Sequence, residues 1–456
     1  MSGLYGSLSV VLSALLTSQQ AVETSANNVA NANTPGFTRQ RPVLIPGDPV
    51  VVGRLSFGSG VVLEKLQSLR DPILELRLNQ ETQIQGELES ALGALQQIQV
   101  MFSGTDSGIG DAISKFFDTP QQLSTDPSNS SLRQGVLTAA GNLAVAFNTT
   151  ARNLQSRRNN LDVNVVQTVS EINTLTAQIA SVNQQIANLE NVHQDASAFV
   201  DKRTMLIRQL SNLMDVAVIQ TEHSIALTTA SGTPLVAESR SFSLATLVGS
   251  GGMHAVFSGS TDITGSVAAG KLGGLLAMRD TNIPALQESL DQLASGLANA
   301  LNTAHRAGFD LNGNAGGDFF VPPSAGGAGA AGTLSVAIMD TALLAASSDG
   351  TAGSNGNLLA LSAVHDQVVA GGQKPLDFYS HLVIQVGSDT ANASADLEAS
   401  QLILQQLEKQ RSSISGVSLD EEAASIVRYQ SAYQAAARVI ATVNEMLDDV
   451  VNLGRY

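Results

Sequence analysis

The sequence predicts a mainly α protein with a small inserted β domain, elongated into a multi-helix coiled-coil and bundle rod to which the N- and C-terminal segments contribute together. Three observations carry this reading. Apolar residues step by three and four along both ends of the chain. Residues 142–231 contain neither glycine nor proline. Residues 232–274 then turn glycine-rich, with short β-type runs beside them.

The two ends come first. Leu4, Leu8, Val11, Leu15, Ser18, Val22, Ser25 and Val29 alternate steps of four and three. Near the other end Ile426, Tyr429, Tyr433, Ala436, Ile440, Val443, Leu447 and Val450 do the same. Each is a heptad seam, the pattern of a helix that needs a partner helix. Ser418 and Glu421 form a capping box at the start of the C-terminal helix, with Asp420 and Glu422 adding favourable charge to its first turn. The N-terminal helix is rich in Ser, Asn and Thr, whose side chains compete for the backbone. Both end segments, residues 1–33 and 418–456, are therefore expected to order on meeting each other and neighbouring subunits.

The middle reads as a helical rod built from residues 71–214, 275–307 and 393–417. Asp71-Pro72 and Asp126-Pro127 each resemble an N-cap followed by proline at the first helical position. Ile84, Leu88, Ala91, Leu95, Ile98 and Phe102 follow the first. Leu161, Val165, Thr168, Ile172, Leu175, Ile179, Val182, Ile186 and Leu189 give an unbroken seam after the second; at 1.5 Å per residue it spans about 40 Å. Shorter helices are expected over Arg203 to Met214, through Leu286, Leu290, Leu293, Leu297 and Ala300, and through Leu397, Leu404, Leu407 and Ile414. Residues 215–274 read as the β domain, with strands over Val216 to Gln220, Ile225 to Thr229 and Pro234 to Val236. Residues 308–392 form a Gly/Ala-rich loop region in which Leu334 to Ile338 is a candidate strand. Residues 34–70 read as an extended linker.

Composition narrows the function. Forty acidic residues against 24 basic ones give a formal charge of −16, which repels nucleic acid and anionic membranes as main partners. Cysteine is absent, which excludes a disulfide framework, a thiolate metal site and a cysteine nucleophile. Glu23 is the only charged residue before Arg39, so no basic leader precedes the apolar run Val10 to Leu16, which is too short to span a bilayer. Secretion, if it occurs, is expected to use no cleaved signal.

Catalytic patterns fail in detail. Gly265 to Lys271 fits G-x-x-x-x-G-K, but Leu272 replaces the required Ser or Thr. Asp310, Asn312 and Asn314 open like a calcium loop, yet Ala315 and Val321 stand where glycine and a bidentate glutamate belong. The six histidines never pair at ligand spacing. No catalytic, cofactor or metal residue is predicted.

One segment is more specific. Residues 26–37 read ANNVANANTPGF, with Asn28, Asn31 and Asn33 suited to helix fraying and left-handed positions, and Thr34-Pro35-Gly36 to a turn with glycine at positive φ. The chain then leaves as an extended segment from Pro42 to Val52. The string, carried by Asn27, Asn28, Asn31, Pro35, Gly36 and Phe37, resembles the N-terminal signature shared by flagellar rod, hook and hook-associated proteins. Two blocks narrow the resemblance to the family of hook–filament junction proteins, hook-associated protein 1. They are residues 129–190, from Arg133 through Glu171-Ile172-Asn173, and residues 271–320, with Leu272 to Leu275, Arg279-Asp280, Asn302, His305, Gly308, Asp310 and Gly317 to Phe320. Asp201-Lys202-Arg203 is similar as well, although Thr204 stands where an acidic residue is commoner. The alternative is another axial subunit, a hook, rod or second junction protein; hook and rod proteins are expected to have more β structure directly after the motif.

The resemblance implies a structural subunit, not an enzyme. It implies export of the unfolded chain through the growing flagellum, folding at its extracellular tip, and a ring of copies contacting hook protein and the second hook-associated junction protein. It also implies an export chaperone holding the C-terminal helix, and, given the chain length, that an outermost domain is missing.

Overall fold

The computed structural model describes residues 2–52, 54–102, 108–220, 225–249 and 251–453. Helix α1 (Ser2–Ala30) ends in the Thr34–Phe37 turn, closed by the Phe37 N–H donating to Thr34 O at 3.2 Å, with Gly36 at φ 81°. Strands β1 (Gln40–Pro46), β2 (Val50–Val52), β3 (Leu55–Phe57) and β4 (Val61–Ser68) follow. β1 pairs antiparallel with β4, and β2 with β3, so the segment expected as a linker is extended but folds back on itself as a ribbon. The cause is local: Val, Leu and Ile dominate its strands, while glycine at 47, 58 and 60 punctuates them.

The rod begins with α2 (Pro72–Phe102), capped by Asp71, whose Oδ1 accepts the Ile73 and Leu74 amides at 2.9 and 3.2 Å. Its buried face runs through Leu74, Leu78, Thr82, Gly86, Leu95 and Ile98; Ile84, expected in the seam, is 45% exposed. Polar and small residues take the seam because α2 approaches other backbones closely there. A Cβ on Gly86 would lie 2.1 Å from Asn212 O.

Helix α3 (Ile109–Leu123) was not expected; it buries Ile109, Ile113, Phe116, Phe117, Pro120 and Leu123. Helix α4 (Ser130–Asn191) is 62 residues long and starts later than Asp126-Pro127 suggested. The turn after α3 runs on through Asp126, whose N–H donates to Leu123 O, and Asn129 caps α4 by accepting from the Ser131 and Leu132 amides. Along its second half the 161–189 seam faces the bundle, with Leu175 and Leu189 half-buried and the rest buried. Helix α5 (Ser197–Leu213) returns against α4 and α2.

The insert is two small antiparallel sheets. β5 (Ala217–Gln220), β6 (Ile225–Thr228), β7 (Pro234–Ala237) and β8 (Arg240–Ser241) form one in sequential order; β9 (Leu244–Val248), β10 (His254–Ser258) and β11 (Thr261–Asp262) form the other. Both lie on α4. Helix α6 (Gly270–Ala277) then packs on α2 so closely that a Cβ on Gly274 would lie 2.5 Å from Glu87 O. A π turn over Met278–Asn282 leads into α7 (Ile283–Arg306).

Between residues 307 and 374 the chain is mostly turns, with short helices α8 (Ala330–Thr333) and α9 (Gly356–Ala363). The candidate strand Leu334 to Ile338 makes a single bridge, Val336 to Phe320. A longer ladder is blocked because the Phe319 and Phe320 amides both donate to Asn302 Oδ1. Helix α10 (Pro375–Ser415) begins well before the expected 393 and packs on α2; Tyr379, Leu382, Val386 and Thr390 bury its first half, whereas Ile414 is 39% exposed. The last helix is α11 (Leu419–Leu453).

One buried apolar cluster runs through the rod and the insert; among the described residues it takes in none of α1, β1 to β4 or α11. Those elements form a separate terminal unit.

Candidate functional site

The terminal unit is built from the two ends of the chain. α1 packs along α11, and its other side against β1 and β4. Arg39, just past α1, meets Glu421 and Glu422 in the first turn of α11, so the two helices run antiparallel. Of the seam residues, Leu8, Val11, Leu15 and Val22 on α1 and Ile426, Ile440 and Leu447 on α11 are half-buried, and Val443 is buried. Val29, Tyr433 and Val450 remain 39%, 39% and 40% exposed. Leu4 lies in α1, but its side chain falls outside the described residues. Small side chains fill the rest of the seam, Ser18 and Ser25 on α1 and Ala436 on α11, all buried; Thr17, Ala21 and Thr24 are buried on another face of α1. Ser13 and Thr17 tie α1 to the ribbon, Ser13 Oγ accepting the Val61 amide at 3.3 Å and Thr17 Oγ1 donating to Val61 O at 3.2 Å.

Asn28 has a role that the sequence pattern did not reveal. It is not left-handed: among the described residues, positive φ outside glycine occurs only at His193 and Glu238, so Asn31 and Asn33 are not left-handed either. Instead the buried Asn28 amide mimics a strand. Its Nδ2 donates to Gln40 O at 2.8 Å and its Oδ1 accepts the Gln40 N–H at 3.0 Å. Asn31 bonds back to Asn27 O and Oδ1 and accepts from Thr34 Oγ1, tightening the last turn before Pro35, Gly36 and Phe37.

Below this unit lies a joint made of ion pairs. Glu75 at the start of α2 accepts Arg208 of α5 at 2.6 Å and Arg411 of α10 at 2.7 Å. Arg411 also donates to Gly36 O at 3.1 Å, linking the turn to the rod. Asp201 of α5 accepts the Thr38 amide at 3.0 Å and pairs with Arg70. Arg39 donates to Glu422 at 2.7 Å, and its own N–H to Ser415 O at 2.9 Å. Burial alone would lower the Arg39 guanidinium, but the Glu421 and Glu422 carboxylates outweigh it and hold the group above its ordinary range. Four arginines here face four carboxylates, so the joint is neutral although the chain is strongly acidic. Partly buried ion pairs of this kind add little net stability, because desolvation offsets much of their attraction.

With this geometry in view, known proteins decide the family. The chain is 30% identical to flagellar hook-associated protein 1 of Bacillus subtilis (strain 168), over 99% of each protein. It belongs to the flagellar hook-associated protein 1 family. The hook-associated protein 1 of Escherichia coli (strain K12) is 27% identical, over 97% of this chain and 98% of that protein. Residues 95–320 match the flagellar hook-associated protein FlgK helical domain, residues 8–38 the flagella basal body rod protein family, and residues 408–453 the flagellar basal body rod FlgEFG protein C-terminal family. The solved flagellar hook junction protein FlgK from Burkholderia pseudomallei shares the fold, with a TM-score of 0.67 at 17% identity, covering 74% of this chain and 100% of that one. Hook-associated protein 1 relatives are structural proteins of the flagellar axis, and this chain is one of them.

The residues that carried the resemblance in the rod have structural work to do. Arg279, 2% exposed in the π turn, donates to Asp162 of α4 at 2.6 Å and to His254 O at 2.7 Å, and pairs with Asp280. Burial would raise the Asp162 carboxyl, but His254 and Arg279 hold it below its usual range. The buried Asn302 holds Phe319 and Phe320, and His305 receives the Ala345 N–H on Nε2 at 2.8 Å while Nδ1 bonds Gly317 O at 2.8 Å. Arg203, buried and near Arg70, is pushed down to about 10 and donates to Asn183. Arg133 reaches three carbonyls, of Pro127, Thr341 and Leu344.

The sequence patterns set aside as catalytic are a helix start, where a Gly-rich turn was expected, and a turn. Gly265–Lys271 spans a single-turn helix and the start of α6, with Lys271 Nζ 3.7 Å from Glu171. Asp310 Oδ1 accepts the Asn312 and Asn314 amides of its own loop, each at 2.8 Å. Among the described residues no group of three or more His, Cys, Asp or Glu is placed to hold a metal ion, and no helix is long and apolar enough to cross a membrane.

Proposed function

We propose that this chain joins hook to filament as a ring of identical copies at the extracellular hook tip, exported unfolded and closing its terminal unit on arrival. The observation that supports this best is the construction of that unit. The first and last helices pair with each other, and beneath them sits a polar joint in place of a shared apolar core. A subunit bridging two tubes of different curvature needs such a joint, because ion pairs can re-form at altered angles whereas a packed core cannot.

In this reading Leu8, Val11, Leu15, Val22, Ile426, Ile440, Val443 and Leu447 close the pair, while the residues left exposed, Val29, Tyr433 and Val450 among them, meet neighbouring copies in the inner tube. Hook protein lies on one side of the ring and the second hook-associated junction protein on the other. An export chaperone holds the α11 seam while α1 is not yet available to cover it, since an uncovered apolar stripe otherwise aggregates. The test is removal of residues 420–456. The truncated chain should keep the helical circular dichroism of the rod and fail to enter flagella; normal incorporation overturns the tube-lining role.

A further inference from the structure

The tip of the ribbon carries an apolar face that its own chain leaves open. Val50 and Phe57 pair across β2 and β3, and Leu55 shares their face because side chains alternate along a strand. The three are 55%, 53% and 64% exposed. Two strands in isolation are marginal in water, so such a face calls for a partner. Exposed Arg54, at the turn between the strands, lies next to Leu55 and makes no ion pair among the described residues. Exposed Asp48 lies beyond the opposite end of the face, before β2.

Helix α1 offers a line of the opposite charge. Leu12 and Leu16 are 48% and 51% exposed, and the exposed Glu23 is the only charged residue before Arg39. At about 100° per residue, these three fall within about 40° of one another round the helix. The same spacing sets their line about a quarter turn from each covered side of α1. One is the Leu8, Val11, Leu15 and Val22 seam toward α11; the other holds Ser13 and Thr17, bonded to Val61 of the ribbon. Gln19 donates to Glu23 Oε1 at 3.1 Å, and Glu23 makes no ion pair among the described residues.

We infer that the β2–β3 tip of one copy docks on the open side of α1 of the next copy, with Val50 and Phe57 over Leu12, Leu55 over Leu16, and Arg54 paired with Glu23. The spacings agree. Phe57 and Leu55 are about 6.6 Å apart along their strand, and Leu12 and Leu16 about 6 Å along the helix. Glu23 lies about 10 Å beyond Leu16, within the joint reach of the Arg54 and Glu23 side chains. At the other end Asp48 meets no charge, since α1 has none before Leu12. The occupant is a second copy because one chain supplies both halves in matching order, while its own ribbon is tied to another side of the same helix. Two tips facing each other would instead bring Arg54 against Arg54. Such a contact is heterologous: each copy gives a tip and receives one, so it propagates around an axis and closes only as a ring. The inference rests on the ring reading above and names a contact that builds the ring.

The absence of cysteine makes the test direct. Full-length Leu55→Cys and Leu16→Cys chains are co-expressed in a cell lacking the native protein, flagella are isolated, and a mild oxidant is added. Both positions are exposed in the single chain, so neither change threatens folding. A disulfide-linked dimer is expected when both variants are present, and at most a trace when either is present alone. Incorporation of both variants with no more dimer than the single-variant controls overturns the tip contact and leaves the ring reading standing. Failure of the unaltered chain to enter flagella overturns both. The charge pair gives a second arm, which decides alone if the cysteine chains do not incorporate. Arg54→Glu should lower incorporation at least threefold, and Glu23→Arg in the same chain should restore it; incorporation of Arg54→Glu equal to that of the unaltered chain, or no recovery with Glu23→Arg, overturns the contact.

Discussion

The Asn28 side chain and the Gln40 backbone exchange two hydrogen bonds, donating at 2.8 Å and accepting at 3.0 Å, so that a helix residue takes the place of a neighbouring strand. Both partners are buried. Asn28→Ala leaves one N–H and one C=O without partners, at about 1–3 kcal/mol each. Amide exchange should quicken across 40–46 and 61–68 and stay unchanged in α4. Asn28→Asp should be at least as damaging, because a carboxylate then faces Gln40 O.

Glu75→Gln tests the joint. It removes the charge that Arg208 and Arg411 share and leaves two partly buried guanidinium groups poorly balanced. Loss of one member of a buried pair typically costs about 3–5 kcal/mol; partial exposure of both arginines reduces that here. Protease cutting near residues 34–39 should accelerate. High salt should loosen the unaltered joint in the same direction, though less, since partly buried pairs are only partly screened.

Two glycines of one helix should answer oppositely to the same change. A Cβ on Gly86 would lie 2.1 Å from Asn212 O, whereas one on Gly93 meets nothing within 4 Å. Gly86→Ala should lower stability by about 1–3 kcal/mol through forced separation of α2 from α5. Gly93→Ala should raise it by about 0.5–1 kcal/mol, by helix propensity alone. Thermal melting of the two variants side by side decides this.

His305 should make the rod acid-sensitive. Burial lowers its proton affinity, opposed by the Gly317 carbonyl and Asp318, and the neutral ring accepts the Ala345 N–H on Nε2. Its folded value lies below its unfolded one, near 6.5, so its contribution is fully present above that pH. It is lost as pH falls through the folded value, at up to about 1.4 kcal/mol per pH unit. Asp162 and Asp310 are also depressed, from the carboxylate range, and act at lower pH. The melting temperature should be level above pH 6.5 and fall below it, and His305→Gln should flatten the upper part of that fall.

Much of the fold was legible because long seams are strong signals. The 161–189 seam and the C-terminal heptads needed only periodicity. Helix α3 shows the same stepping in Ile109, Ile113, Phe116 and Phe117, but Pro120 in its last turn reads as a breaker. The first half of α10 hides its face behind Thr390 and Gly387. The site was less legible for a physical reason. Asn28 binds backbone, which leaves no trace in a side-chain pattern, and the joint gathers charges from positions 39, 70, 75, 201, 208, 411, 421 and 422 that no spacing rule connects. Only the three-dimensional path of the chain brings them together.

Arg39 and Glu422 are 383 positions apart, and the unit they help close contains the first and last helices of the protein. Closing so long a loop carries an entropic cost that only the complete set of terminal contacts offsets. Whichever end emerges first, it must wait for the other. A chain cut short at either end shows one apolar helix without its mate, so the fold itself checks for completeness: only a full-length copy can offer a finished surface to the growing structure.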